Sequence, residues 1–353
     1  MTEELFVPGR VCLFGEHSDW AGAYRASDPT IEPGRCLIAG TDQGLTAVAE
    51  RNDDALLFID EEGRERRYRL GDAGLADLPR SREFHRHQIG VALAIRARFP
   101  SALGLTLHMV RQDLPRQKGL SSSAAACVLM ARAYARVYDL PIGIDEEMDF
   151  AYRGERMTGS ECGRMDQACA FGRAVTLLTF DGEEVAVARV RVGAPLHYVL
   201  VDLHAGKDTV RILADLNRCY RDRADGVATG VREALGPRNR AITEEARARI
   251  EAGDARGLGR LMTESQQLFD AFVAPACPGE LTSPRLHAVL DAVREDPRLR
   301  DLAWGGKGVG SQGDGGAQLI ARDADAQARL LRKLPDALGV TCYPLTLRPE
   351  TQA

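Results

Sequence analysis

Aromatic residues make up only 6% of this chain, and no apolar run approaches the roughly 20 residues that span a bilayer. A helical membrane protein is thereby excluded, and no membrane partner is expected. The chain also lacks a basic excess, because 46 lysines and arginines face 51 aspartates and glutamates for a net charge of −5. Neutralising a phosphodiester backbone needs a basic surface, so nucleic acid is not an expected partner. The N-terminal MTEELFVPGRV carries acidic residues where a secretory signal needs basic ones, which predicts a cytoplasmic protein. Eight cysteines are present but never as CxxC, and several lie in apolar runs, as reduced buried thiols do. A structural zinc site is not expected. No repeat of fixed period occurs, which removes solenoid architectures. No GxxxxGK[ST] occurs either, so any nucleotide is held by something other than a Walker A loop.

What is present is a composition of 44% hydrophobic and 27% charged residues, ordinary for a soluble globular chain. At 353 residues the chain is too long for one core and fits two domains of roughly 150 to 200 residues each. A cleft between two domains is the default place for a site. Apolar runs at Arg10 to Gly15, Cys36 to Ala49, Ala55 to Ile59 and Gly104 to Val110 predict strands. His87 to Arg98 has helical apolar spacing, and Ser121 to Tyr138 predicts a helix opened by serines able to cap its first turn. A further helix is predicted from Asp145 to about Thr158, its acidic start suiting the helix dipole. Beyond the strand-like Leu196 to Leu203, the region Val210 to Leu268 reads as charged and helix-rich. A glycine-dense loop, Gly305 to Gly316, then leads to a strand at Ala317 to Ile320, a helix at Ala324 to Leu334 and a last strand around Gly339 to Leu347.

Three segments carry polar chemistry. Lys118-Gly119-Leu120-Ser121-Ser122-Ser123-Ala124 sets glycine and hydroxyls at a helix start, where backbone amides and the dipole favour an anion. Hydroxyls there can also ligate magnesium, although a serine-capped, closely packed helix explains the same residues. Asp166 lies in Gly163-Arg164-Met165-Asp166-Gln167, followed by small uncharged residues, with Glu155 eleven positions upstream. Such a carboxylate pair suits a base and a metal ligand, or a solvated surface. Gly9-Arg10-Val11-Cys12-Leu13-Phe14-Gly15-Glu16-His17-Ser18-Asp19 ends a strand with a polar cluster able to bind several hydroxyls. Glu16 and Asp19 can equally be loop residues and His17 a satisfied structural histidine. His85 and His87 read as a helix-start feature rather than a ligand pair.

Taken together and in their order along the chain, the segments resemble the GHMP kinases, which include galactokinase, homoserine kinase, mevalonate kinase and phosphomevalonate kinase. Gly9 to Asp19 is similar to the galactokinase signature G-R-V-x-x-x-G-E-H-x-D. Pro115 to Ala124 is similar to the P-x-x-x-G-L-S-S-S-A phosphate loop, and Cys162 to Gln167 to the C-G-x-M-D-Q segment of galactokinases. The resemblance implies an α+β fold of two domains, 1–190 with these motifs and 191–353 with a glycine-rich third motif, and an active site in the cleft between them. It implies ATP- and magnesium-dependent phosphorylation of a sugar at its anomeric hydroxyl. Asp166 would be the base and Arg10 would steady the transferring phosphoryl group. Glu16, His17 and Asp19 would bind sugar hydroxyls, Lys118 to Ala124 would wrap the ATP phosphates, and Ser122 or Ser123 with Glu155 would hold Mg2+.

The chain departs from the pattern in two places. Gln312 and Asp314 stand where galactokinases usually have glycines, and Trp20 stands where a tyrosine usually follows the sugar-binding aspartate. The stretch Tyr24 to Arg35 reads as an insertion, and Arg25, Arg35 and Lys207 are candidates to pair with an acceptor carboxylate. A dinucleotide reading of Gly308-x-Gly310-x-x-Gly313 fails, because a strand rather than a helix follows the loop and Lys333 occupies the acidic position. A non-catalytic sensor on the same fold and a kinase of a non-sugar alcohol such as mevalonate are the competing readings. A sensor has little reason to keep Arg10, Glu155, Asp166 and the serine loop together.

Overall fold

The computed structural model of the protein describes residues 2–114, 121–160 and 162–349. In chain order the elements begin β1 (Thr2–Phe14), α1 (Ser18–Ala23), β2 (Gly34–Asn52), β3 (Ala55–Ile59), β4 (Glu65–Arg69), α2 (Arg86–Arg98), β5 (Gly104–Gln112), α3 (Ser122–Val137) and α4 (Ile144–Arg156). They continue with β6 (Val175–Asp181), β7 (Glu184–Val190), β8 (Leu196–Asp202), α5 (Thr209–Asp222), α6 (Gly226–Glu233), α7 (Asn239–Ala252) and α8 (Ala255–Leu268). The last are α9 (Pro278–Leu281), α10 (Pro284–Glu295), β9 (Ala303–Gly308), β10 (Gly316–Ala321), α11 (Ala324–Leu338) and β11 (Thr341–Leu347). Two compact units result, one from Met1–Arg10 with Gly40–Arg173, the other from Val11–Ala39 with Ala174–Ala353. Among the described residues no helix is long and apolar enough to cross a membrane.

In the first unit the strands run β4-β3-β5-β2, with β3 and β5 parallel and the other pairs antiparallel. The β3 residues Ala55 to Phe58 are buried, whereas β4 exposes four of its five residues, three of them arginines. A charged, exposed edge strand blocks pairing with a further chain. His85 stacks on Phe58 at 4.2 Å and its Nδ1 lies 3.1 Å from the Tyr68 hydroxyl, so it closes this corner of the core. Helices α2, α3 and α4 pack on one another, and small residues set how closely. A Cβ on Gly90 would overlap the Gly154 backbone, and one on Gly154 would overlap Val91. The α2–α4 contact therefore needs glycine on both sides. Ser121 precedes α3 in a left-handed conformation (φ 56°) and its hydroxyl makes no capping bond, contrary to the serine cap expected from the sequence.

The second unit holds a β11-β8-β10-β9 antiparallel sheet and, separately, the pairing of β2 residues 34–39 with β6 and of β6 with β7. Alternate β8 residues Val199 and Val201 join Leu319, Leu286, Val289, Leu330 and Leu334 in one core beneath α10 and α11. A second core gathers Trp20 and Ala21 against Ile212, Leu216 and Tyr220 of α5, with Val231 and Phe269. The segment Gly305 to Gly308, read from the sequence as loop, lies in β9. Its glycines serve close packing: a Cβ on Gly305 would overlap the Gly259 backbone of α8, and one on Gly259 would meet Trp304. The apparent insertion after Tyr24 is held down by Arg25, which donates to Asp181 at 2.5 Å and to the carbonyls of Pro29 and Ile31.

Candidate active site

In the first unit, Arg10 on β1 forms an ion pair with Asp166, which opens a short 3-10 helix, Asp166–Phe171. Arg10 is buried, while the Asp166 side chain keeps 32% of its surface exposed. The carboxylate can thus meet a ligand while its guanidinium partner stays inside. Glu155, near the end of α4, is buried and accepts from Ser123 Oγ at 2.9 Å and from Gln167 Nε2 at 2.8 Å. Burial, and then the nearby Asp166 charge, push its carboxyl up to about 7, although the Gln167 and Ser123 hydrogen bonds and Arg10 pull the other way. A buried carboxylate with a hydroxyl beside it is a hard-oxygen set that fits Mg2+, which takes one or two carboxylates and shares the rest with substrate phosphates.

Arg132 of α3 braces this group. Its guanidinium donates to Glu147 at 2.7 and 3.0 Å, to Phe6 O at 3.1 Å and to Ala170 O at 2.7 Å. One side chain thereby ties α4, β1 and the end of the Asp166 helix together, using the several directed donors that arginine carries.

In the second unit, Glu16 forms an ion pair with Lys307 of β9, and both are buried. Lys307 Nζ also donates to Gly308 O at 2.9 Å. His17 has a left-handed backbone (φ 69°) and its ring stacks on Phe269 with centroids 6.0 Å apart. Trp20 Nε1 donates to His17 Nδ1 at 3.1 Å, and His17 Nε2 lies 3.3 Å from Ser311 O. Burial, opposed by the Ser311 contact and reinforced by Lys207 and Lys307, lowers its pKa to about 4, so the imidazole is neutral at physiological pH. Asp19 is buried on α1. The third-motif residue Gln312 adopts φ 63° and ψ −149°, a region that is essentially glycine-only. Lys207 Nζ donates to Gln312 O at 2.8 Å, and Asp314 Oδ1 accepts from Leu286 N at 3.0 Å in the first turn of α10.

The structure brings Arg10, Asp166, Glu155 and Ser123 together in the first unit, and Glu16, His17 and Asp19 onto one turn of chain in the second. Ser121, Ser122 and Ala124 lie at the start of α3, while Lys118, Gly119 and Leu120 fall outside the described residues. Both nitrogens of His17 already meet protein groups, so the ring has none to offer a sugar hydroxyl. Arg35 pairs with Glu244 and Arg25 with Asp181, which takes both away from an acceptor carboxylate. Sequence reasoning missed Lys307, Arg132, Gln167 and Gln318, whose amide donates to Cys12 O at 2.8 Å and so fixes β1 beside β10. For Lys307 a signal existed. Only four of the 46 basic residues are lysines (118, 207, 307 and 333), so each stands out in a chain that otherwise uses arginine.

Residues 86–173 match the family described as GHMP kinases N terminal domain. The chain is 30% identical over 293 residues to a galactokinase of Roseiflexus sp., covering 73% of this chain and 70% of that one. The structure is similar to that of Lactococcus lactis galactokinase complexed with galactose, with TM-score 0.74, 16% identity and coverage of 99% and 93% of the two chains. It is also similar to that of L. major mevalonate kinase in complex with R-mevalonate, with TM-score 0.72, 18% identity and coverage of 100% and 98%. The α+β fold and the carboxylate-bearing motifs are those of a small-molecule phosphotransferase, and the chain belongs to the GHMP kinase family. Within that family it is galactokinase-like, an ATP-dependent kinase that phosphorylates a sugar or similar alcohol.

Proposed function

We propose that this kinase transfers the γ-phosphoryl group of ATP to the anomeric hydroxyl of a monosaccharide, giving a sugar 1-phosphate and ADP. The observation that carries the reading is the half-exposed Asp166 paired with the buried Arg10, with Glu155 and Ser123 in the same unit. Asp166 takes the hydroxyl proton as the sugar oxygen bonds to the γ-phosphorus and the bond to the ADP oxygen breaks. Arg10 steadies charge on the transferring group and orients the aspartate. Phosphoryl transfer is mostly positioning and charge stabilisation, so a carboxylate already neutralised by a guanidinium is basic enough. Glu155 and Ser123, joined by Ser122, hold Mg2+, which when bound offsets phosphate charge. Residues 118–124 wrap the phosphates, and Glu16 and Asp19 bind acceptor hydroxyls.

A galactokinase relative at 30% identity supports a sugar rather than mevalonate as acceptor. So do the two carboxylates of that turn, Glu16 and Asp19, which carry more hydrogen-bond acceptors than a single alcohol needs. The purified protein, given ATP, Mg2+ and a panel of neutral, amino and uronic sugars beside mevalonate, should release ADP with at least one sugar, and Asp166→Asn should lose that turnover. Turnover with mevalonate alone, or equal turnover by the Asn variant, would overturn the proposal.

A further inference from the structure

Trp20 belongs to none of the roles above, although it sits within the acceptor motif. An indole N–H can only donate. Because it donates to His17 Nδ1 at 3.1 Å, that nitrogen must be an acceptor, and the single proton of a neutral imidazole is left on Nε2. Nε2–H then points at the Ser311 carbonyl 3.3 Å away. Ser311 is gripped a second time, its hydroxyl lying 3.1 Å from Thr209 Oγ1, and its neighbour Gln312 receives Lys207 Nζ at 2.8 Å. His17 at one end of this link (φ 69°) and Gln312, next to Ser311 at the other (φ 63°), are both non-glycine residues with positive φ. Such conformations persist only where surrounding contacts over-determine them. Phe269 stacks on the imidazole, with ring centroids 6.0 Å apart.

We propose that Trp20 is a positioning residue of this kinase: by fixing His17 as the Nε2–H tautomer, it makes His17 the post that holds the glycine-rich loop at Ser311 to the acceptor motif. This rests on reading the Glu16–Asp19 turn as the acceptor site and the 310–317 loop as part of the ligand-binding surface. A tryptophan succeeds here because its donor is obligatory. A hydroxyl in its place could donate or accept and would leave the tautomer open.

The test is a double-mutant cycle between Trp20→Phe and His17→Gln, read by ATP affinity in calorimetry and by KM and kcat with whichever acceptor turns over. A glutamine at 17 carries its own amide donor toward Ser311 and needs nothing from residue 20. Trp20→Phe should weaken ATP binding or raise KM about tenfold when His17 is present, the value of one neutral hydrogen bond. In the His17→Gln background the same change should move these constants less than about twofold, while thermal stability falls equally in both. Equal kinetic effects in the two backgrounds would reduce Trp20 to packing and overturn the proposal. The wild-type protein supplies a measurement that needs no variant: nitrogen-15 shifts of the His17 ring should show a protonated Nε2 and a bare Nδ1, and the reverse pattern would also overturn it. Because calorimetry and the ring shifts need no acceptor, they decide the point even if no sugar is phosphorylated.

Discussion

Replacing Lys307 by methionine removes the counterion of Glu16 while keeping a side chain of similar length. Both partners are almost fully enclosed, Lys307 at 1% and Glu16 at 4% side-chain exposure, so water cannot take over the lost interaction. Breaking a buried pair from one side costs about 3–5 kcal/mol, because the remaining charge stays desolvated. For a unit of this size about 1 kcal/mol corresponds to roughly 2–4 °C in midpoint, so Lys307→Met should lower the thermal midpoint by roughly 6–20 °C. Glu16→Gln/Lys307→Met, which removes both charges, should regain most of that loss, since apolar or neutral replacements of buried pairs are often near neutral. Thermal and urea unfolding of wild type and the single and double variants measure this directly. Raising the salt concentration should change none of these differences by much, because screening acts on exposed charges. A single variant as stable as the double would refute the reasoning, as would a loss that salt abolishes.

Glu155, raised from 4.5 to about 7 by burial, binds a proton in the folded state that the unfolded chain has already released. Stability should therefore fall as pH rises from about 4.5 to about 7, by about 3 kcal/mol at most, and Glu155→Gln should flatten that slope in urea titrations. Arg132→Met should leave Glu147 buried without its partner and lower stability by about 3–5 kcal/mol, and a loss confined below about 1 kcal/mol would show that the brace is decorative. Gly154→Ala in an exposed helix would be stabilising by about 1 kcal/mol, but the overlap with Val91 predicts a loss of about 1–3 kcal/mol by thermal unfolding instead.

The local elements were largely legible. The helix over Ser122–Val137 and the strand Ala55–Ile59 follow from short-range pattern. Strand β4 was hidden because arginines and glutamate mask its alternation, and β9 because its glycines, which look like loop, serve close approach of α8. In the candidate site the motifs named Arg10, Asp166, Glu155 and Glu16, yet not the partners that define how they act. Lys307 lies 291 positions from Glu16 and Ser311 lies 294 from His17, and no periodicity links residues so far apart. The third motif is instructive in the same way. Gln312 and Asp314 look like departures from a glycine loop, but one bears a glycine-like backbone under the grip of Lys207 and the other accepts from the first turn of α10.

The position of the phosphate on the product tests the central claim most directly. After turnover with ATP, Mg2+ and the best sugar of the panel, phosphorus-proton correlation spectra should show the new phosphate coupled to the anomeric proton, with ADP formed in equal amount and none of either from Asp166→Asn. A phosphate coupled to any other proton of the sugar, or turnover only of an acceptor with no anomeric centre, would contradict it.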